Sequence, residues 1–248
     1  MALDAPHGRR YPERMNVPES RIRDNLSRLR SEVAEAAAVS RRSADAVRIV
    51  AVTKTVGLPE IAALAALGLR DLGENRAEQL LERAAAEATR GLHLAWHMIG
   101  HLQRRKVRDL LPLVSLVHSV DSLRLAQEIH HRAEAAALPP LPVLLEINVS
   151  GEERKFGLRP DEAPDVARQV AALGRIDLRG LMTMAPLVDD AELARPVFRG
   201  LRELRDRIND DAVLPRPLAD LSMGMSQDYR VAVQEGATLV RIGTALFQ

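Results

Sequence analysis

Eight short apolar segments alternate with amphipathic segments along most of this 248-residue chain. The apolar segments have the length and composition of buried parallel strands, and the segments between them repeat apolar residues at helical spacing. Eight such repeats predict an α/β fold, a closed (β/α)8 TIM barrel with its helices outside. A doubly wound open sheet is the alternative architecture. The predicted strands span residues 48–54, 69–74, 94–100, 116–121, 142–149, 178–184, 218–223 and 238–243.

A tail and a further helix precede the first predicted strand. Residues 1–19 contain several prolines and no apolar periodicity, which predicts a flexible tail. Apolar residues recur at helical spacing between residues 20 and 38, which predicts an amphipathic helix. No compositional break divides residues 20–248, so we expect a single barrel domain with an extra N-terminal helix.

The composition restricts the classes of function open to this chain. Aromatic residues make up 2% of the sequence, against 46% hydrophobic residues overall, so the predicted core is aliphatic. A formal charge of +1 argues against a nucleic-acid binder, and the lack of cysteine excludes disulfides and cysteine metal sites. No apolar run approaches the roughly 18 residues of a membrane span, and the first residues do not resemble a signal peptide. We expect a cytoplasmic protein without a metal site, a membrane contact or a nucleic-acid partner.

The first predicted strand ends on a lysine, which is an unusual residue in this sequence. Only three of the 35 Lys and Arg residues are lysines, namely Lys54, Lys106 and Lys155. Arginine stays charged in proteins, whereas a lysine can lose its proton and act as an amine nucleophile. Lys54 is therefore a candidate nucleophile. A lysine whose stem lies along the strand end and whose ammonium reaches water is the alternative interpretation.

Two turns near the end of the chain have the composition of phosphate sites. Ligands of such barrels bind at the carboxyl ends of the strands, and phosphate commonly binds after strands seven and eight. A turn with Ser and Gly at residues 222–226 follows predicted strand seven, and a similar turn at residues 241–244 follows strand eight. Each turn alone is compatible with simple helix capping. Together they predict a phosphate ligand, and Lys54 beside it indicates a Schiff base with pyridoxal 5′-phosphate or with a sugar phosphate.

Several motifs in their order along the chain resemble one known family. They are AVTKT at 51–55, GEN at 73–75, WHMIG at 96–100, LQ at 102–103, SMGMS at 222–226 and VRIGTALF at 240–247. From about Ile22 to Phe247 the chain resembles the pyridoxal phosphate homeostasis proteins, single-barrel relatives of alanine racemase. The resemblance implies a barrel of the alanine racemase N-terminal domain type and pyridoxal 5′-phosphate (PLP) as the cofactor.

The resemblance also implies which residues hold the cofactor. Lys54 would carry PLP as a Schiff base. Asn75 and His97 match residues that line the pocket. For both residues an ordinary structural role is the alternative, as a helix N-cap for Asn75 and as a hydrogen-bonded core histidine for His97.

The phosphate and the pyridine ring of the cofactor would contact residues near the end of the chain. By resemblance, Ser226, Gly243 and Thr244 would hold the phosphate, and Met223 belongs to the same cofactor-binding turn. Arg241 would face the pyridine nitrogen. An ordinary ion pair of Arg241 with a carboxylate such as Asp220 or Glu74 is the alternative.

The expected function is cofactor homeostasis without efficient catalysis. A guanidinium beside the pyridine nitrogen opposes its protonation and makes the ring a poorer electron sink. Racemases tolerate this because acid–base groups flank the substrate, one of them from a second domain, and this sequence ends a few residues after predicted strand eight. We expect a monomer that stores, buffers or delivers PLP and contacts PLP-dependent apo-enzymes transiently. Lys155 either assists this transfer or is a solvated loop lysine.

Three other functions remain open. A PLP-dependent racemase would need a second base, for which His97 and Tyr229 are the candidates. A class I aldolase would use Lys54 without a cofactor. A pure interaction protein would bind no ligand through Lys54.

Overall fold

Eight parallel strands close into a barrel in the computed structural model, as the alternating sequence pattern predicts. The strands are β1 Arg48–Val52, β2 Asp71–Glu74, β3 Ala95–Met98, β4 Val114–Val120, β5 Leu141–Glu146, β6 Ile176–Met182, β7 Asp220–Ser222 and β8 Leu239–Ile242. They follow one another around the barrel in sequence order, and β8 closes it by pairing with β1. The open-sheet alternative is therefore wrong. The structure describes residues 15–152, 156–211 and 214–248.

Helices connect the strands and cover the outside of the barrel. They are α1 Glu19–Val39, α2 Leu58–Ala66, α3 Ala77–Ala85, α4 Val107–Leu110, α5 Leu123–Ala135, α6 Ala163–Ala171, α7 Arg195–Asp210, α8 Tyr229–Gln234 and α9 Thr244–Phe247. Local signals in the sequence set several of their ends. Gly68, at φ +78°, ends the turn after α2 in a conformation that suits glycine. The Ser122 side chain accepts a hydrogen bond from the Leu125 amide and caps the start of α5.

The apolar side chains form two layers that follow the alternation of the strands. In β1, Ile49 and Ala51 point outward and pack under the helices, whereas Val50 points into the barrel. The inner cluster is entirely aliphatic or sulfur-containing, in agreement with the scarcity of aromatic residues. It consists of Val50, Leu116, Leu144, Met182 and Leu239.

The N-terminal helix α1 packs against the last two helices of the barrel. Its buried face carries apolar residues at helical spacing, and the Asn25 amide donates to the Leu246 carbonyl oxygen at 3.1 Å. Residues 1–14 of the predicted tail lie outside the described residues, but residues 15–18 contact the barrel. The amide of Met15 donates to the Thr55 carbonyl oxygen, and the buried Val17 donates its amide to the Glu60 carboxylate. The prediction of a loose tail up to residue 19 is therefore wrong for these residues.

The longest described helix, α1, has 21 residues and a polar outer face. Within the described part of the chain, no helix is both long enough and apolar enough to cross a membrane.

Candidate functional site

Lys54 lies at the carboxyl end of the barrel, two residues after the end of β1. Its side chain is exposed, whereas the preceding Thr53 is fully buried. The amine is therefore accessible to a ligand that enters the mouth of the barrel. This is the face on which such barrels carry their chemistry.

Helix α3 holds the segment that carries Lys54 in place. Gln79 donates to the Lys54 carbonyl oxygen at 3.0 Å, and Arg83 donates to the carbonyl oxygens of Thr53 and Val56 at 2.7 and 2.6 Å. These carbonyls follow the end of β1, and the side-chain donors add to the turn hydrogen bond from the Val56 amide to the Thr53 carbonyl oxygen at 3.0 Å. Three carbonyl groups within residues 53–56 are thereby tied to one helix.

Arg83 itself is held by a buried ion pair. Its guanidinium is 2% exposed and contacts the fully buried Glu74 carboxylate, which also accepts a hydrogen bond from the Thr53 hydroxyl. Burial raises the pKa of Glu74, although the charge of Arg83 and the two hydrogen bonds act to lower it. We call Glu74, Arg83 and Gln79 the clamp.

The two phosphate-type turns meet at the mouth of the barrel. The Ser226 hydroxyl oxygen accepts hydrogen bonds from the amides of Gly243 and Ala245, both at 3.2 Å. Ser226 and Gly243 are half-buried, and Thr244 is exposed. The structure thus brings together the three residues that the sequence analysis assigned to the phosphate.

The turn after β7 requires a glycine. Gly224 has φ +92°, and a Cβ added there would lie 2.6 Å from the Cβ of Ala232 in α8. One carboxylate oxygen of the buried Asp228 accepts from the Met225 amide at 2.6 Å and fixes the other end of the turn. Burial raises the pKa of Asp228. Met223, from the same turn, is fully buried and belongs to the core under the helices, so its side chain does not line the open face.

Arg241 points into the barrel from β8 and is 3% exposed. It donates to the Ser222 hydroxyl oxygen at 2.6 Å and to the Thr183 carbonyl oxygen at 2.9 Å. Burial lowers its pKa to about 10, so the guanidinium remains charged at neutral pH. Glu74 binds Arg83 and Asp220 accepts from a threonine hydroxyl, so neither forms the ion pair considered as the alternative.

His97 is a buried, hydrogen-bonded core histidine and does not line the open mouth. Its Nε2 lies 3.0 Å from an Asp71 carboxylate oxygen, and its Nδ1 lies 2.8 Å from Nε2 of His118. His118 is fully buried, and the sequence analysis did not single it out. The structure therefore supports the alternative interpretation of His97.

Asn75 is exposed beside the mouth, where it lines a cleft of about 530 Å³ together with Arg76 and Lys106. Arg76 is the N-cap residue of α3, so the N-cap role considered for Asn75 is wrong. Lys106 forms an ion pair with Glu78 at 3.0 Å.

Glu146 is a titratable group at the mouth that the sequence analysis missed. It ends β5 and is 4% exposed. Burial, and to a smaller extent the charge of Asp121, raise its pKa to about 7 against the charge of Arg241, which acts to lower it. A carboxylate in an otherwise apolar strand was the signal in the sequence, because such a group is rarely buried without a purpose.

The other candidate groups lie elsewhere. Tyr229 donates its hydroxyl to the Glu32 carboxylate of α1, on the outer side of the barrel. Lys155 lies outside the described residues. Across residues 15–152, 156–211 and 214–248, no group of three or more His, Asp or Glu side chains is arranged to hold a metal ion.

Comparisons with known proteins identify close relatives. The family model for the N-terminal domain of alanine racemase matches residues 20–248. A pyridoxal phosphate homeostasis protein of Aquifex aeolicus is 40% identical over 90% of this chain and 96% of its own length, and that of Deinococcus radiodurans is 43% identical over 87% and 95%. The structure of PipY from Synechococcus elongatus with PLP bound has a TM-score of 0.79 and 31% identity, and the match covers 92% of this chain and 100% of that one.

Proposed function

The chain belongs to the family of pyridoxal phosphate homeostasis proteins, and we propose that it binds PLP as a Schiff base on Lys54 and stores, buffers or delivers the cofactor inside the cell. One observation carries this proposal. The exposed Lys54 lies at the same mouth of the barrel as the contact between Ser226 and Gly243 and as the buried Arg241.

The residues at the mouth suit both the aldehyde and the phosphate of PLP. Lys54 would hold the aldehyde carbon through its amine as a Schiff base, with loss of one water molecule. Another amine that displaced Lys54 from this carbon would return Lys54 as a free amine and release the cofactor. The hydroxyl proton of Ser226 and the backbone N–H group of Thr244 are suitable donors for the phosphate, whereas the amide of Gly243 already donates to Ser226 and fixes its position.

Arg241 accounts for storage without efficient turnover. Bound PLP supplies an electron sink, which is deepest when the pyridine nitrogen carries a proton. Because Arg241 has a pKa of about 10, it stays cationic at neutral pH and opposes a second positive charge on a nitrogen that faces it. An acidic partner at that position would have the opposite effect.

A racemase reaction is the second candidate, but its proposed bases are engaged elsewhere. His97 lies between Asp71 and His118, and the hydroxyl of Tyr229 is bound to Glu32. Glu146, at the carboxyl end of β5, has a pKa of about 7 and is the candidate among the described carboxyls to exchange a proton at neutral pH. Efficient racemisation of alanine by the purified protein would contradict the storage function.

The experiment that tests the proposal is reductive trapping. We expect PLP-loaded protein to show a visible absorption band that borohydride abolishes, with a pyridoxyl group located on Lys54 by peptide mass spectrometry. Lys54→Arg keeps the positive charge but cannot form the Schiff base, so trapping should be lost entirely.

Lys106→Arg is the matched control, since Lys106 is paired with Glu78 in the neighbouring cleft. It should be trapped as fully as the unsubstituted protein. A pyridoxyl group on another residue, or equal trapping in Lys54→Arg, would contradict the assignment of Lys54. A colourless protein that PLP does not modify, but that borohydride links to a sugar phosphate, would favour the aldolase alternative.

Sedimentation at several concentrations tests the further proposal that the protein is a monomer.

A further inference from the structure

A continuous row of hydrogen bonds crosses the interior of the barrel and ends at Arg241. Arg241 Nη1 lies 2.6 Å from Ser222 Oγ, which lies 2.8 Å from His118 Nδ1. His118 Nε2 lies 2.8 Å from His97 Nδ1, and His97 Nε2 lies 3.0 Å from an Asp71 carboxylate oxygen. These side chains come from β8, β7, β4, β3 and β2, and all except Asp71 are at most 3% exposed. We call this row the relay.

The chemistry of its two ends fixes the direction of the relay. A guanidinium can only donate, so Ser222 accepts from Arg241, and its one proton is available for Nδ1 of His118. A carboxylate can only accept, and although burial opposes its ionisation, the hydrogen bond from His97 and the charge of Arg48 lower the pKa of Asp71. Nε2 of His97 therefore carries a proton.

The two histidines between these ends then have a single neutral arrangement. Burial, with the charge of Arg241, lowers the pKa of His118 well below its usual range, so its ring carries one proton. Nδ1 of His118 accepts from Ser222, so that proton is on Nε2 and is donated to Nδ1 of His97. Every group donates toward Asp71. The opposite direction would require His97 to be an imidazolium ion, protonated on both nitrogens.

We propose that the relay is a positioning device for Arg241, in which Ser222, His118, His97 and Asp71 hold the guanidinium in one orientation through hydrogen bonds of a single direction. The first link is charge-assisted, and linked hydrogen bonds of one direction polarise one another.

The surroundings of Arg241 explain why such a device is useful. Its hydrogen-bond acceptors among the described residues, Ser222 and the Thr183 carbonyl, are both neutral, and Asp228 and Glu146 act on it only through their charge. A carboxylate in direct contact would occupy the fork of N–H donors. The relay instead ends on the carboxylate of Asp71, which is separated from Arg241 by four successive hydrogen bonds. The remaining donors of Arg241 stay available to a ligand at the mouth.

The relay rests on the proposed function in one respect, that Arg241 faces the cofactor, so its first test uses the protein without PLP. Long-range proton–nitrogen NMR of the full chain distinguishes the two neutral imidazole tautomers and the imidazolium ion. We expect both His97 and His118 to be neutral and protonated on Nε2 at neutral pH. An imidazolium signal from His97, or a proton on Nδ1 of His118, would overturn the relay whether or not the protein binds PLP.

A substitution in the middle of the relay tests its effect on Arg241. Ser222→Ala removes the link between Arg241 and His118, and we expect the His118 resonances to shift to a mixture of tautomers. Because Arg241 loses one fixed partner, PLP should bind roughly tenfold more weakly. The visible band of the bound cofactor should also move, since the charge beside the pyridine nitrogen is displaced. Ser222→Thr retains the hydroxyl group and should restore both signals.

Ser119→Ala is the matched control for a lost buried hydroxyl. Ser119 is a fully buried serine of β4 that donates to the Gly100 carbonyl oxygen at 2.6 Å and lies outside the relay. It should leave the histidine tautomers and the cofactor band unchanged. Equal changes in Ser119→Ala and Ser222→Ala would show a general loss of packing and would contradict a positioning role. If the tautomers are as expected and PLP does not bind, the proposed function fails while the direction of the relay stands.

Discussion

Replacing Arg83 with methionine is expected to lower the free energy of unfolding by about 3–5 kcal/mol, the usual cost of removing one partner from a buried ion pair. The substitution leaves the fully buried Glu74 carboxylate without its cation. It also removes the Arg83 hydrogen bonds to the carbonyl oxygens of Thr53 and Val56. Urea denaturation of the PLP-free protein measures the loss. Because burial already raises the pKa of Glu74, the unpaired carboxylate takes up a proton in acid, and the loss should be smaller there.

Two controls separate the buried pair from ordinary effects of charge. Arg23→Met breaks an exposed i,i+4 pair with Glu19, whose side chains are 60% and 53% exposed, and should change stability by no more than about 0.5 kcal/mol. Adding Glu74→Gln to Arg83→Met removes the stranded charge and should recover part of the loss. If Arg83→Met costs no more than Arg23→Met, the clamp is not a major source of stability.

The clamp also connects stability to the proposed site. Arg83 and Gln79 bind the backbone on either side of the Lys54 side chain. In Arg83→Met protein that remains folded, this segment has lost two of its three helix contacts. We therefore expect slower trapping of PLP by borohydride at Lys54, even at temperatures where the protein is fully folded.

The sequence predicted the order of the elements well because hydrophobic periodicity depends on local residues. Each of the eight predicted strands overlaps an observed strand. The ends of the elements were less accurate. Between predicted strands three and four, only Val107–Leu110 is α-helical, because residues Arg104–Lys106 form a tighter 3₁₀ turn. The four-residue helix α9 falls in a segment too short to show a period, and the turn predicted at residues 241–244 overlaps it only at Thr244.

The location of the site could also be predicted from the sequence, since the carboxyl ends of all strands in a parallel barrel lie on one face. Ser226 and Gly243 are in contact as that arrangement requires. The relay could not be predicted from the sequence, because His118 and Ser222 are 104 residues apart. They meet only when the closed barrel sets which side chains face inward. His97 was expected to line the pocket, whereas its side chain belongs to the relay. The sequence does not show this, because the partners of His97 come from other strands.

Glu146→Gln is expected to stabilise the PLP-free protein at pH values above about 7 by about 3 kcal/mol, and to have little effect near the pKa of an exposed carboxyl. Burial and the charge of Asp121 raise the pKa of Glu146, and the charge of Arg241 lowers it. The net result is a rise from 4.5 to about 7. The folded state thus binds this proton more tightly than the unfolded state. The associated stability is fully present below about pH 4.5 and is lost as the pH rises through about 7. Glutamine cannot ionise and avoids that loss.

The measurement is the free energy of unfolding of both proteins as a function of pH. Glu203→Gln, which changes an exposed glutamate of α7, is the matched control and should follow the unsubstituted protein at every pH. The two curves for Glu146→Gln and the unsubstituted protein should converge in acid and separate above neutral pH. Parallel curves would mean that water reaches the Glu146 carboxyl and keeps its pKa ordinary. A carboxyl of that kind would be ionised at neutral pH and would no longer exchange a proton there, which would remove the last described candidate base for a racemase reaction.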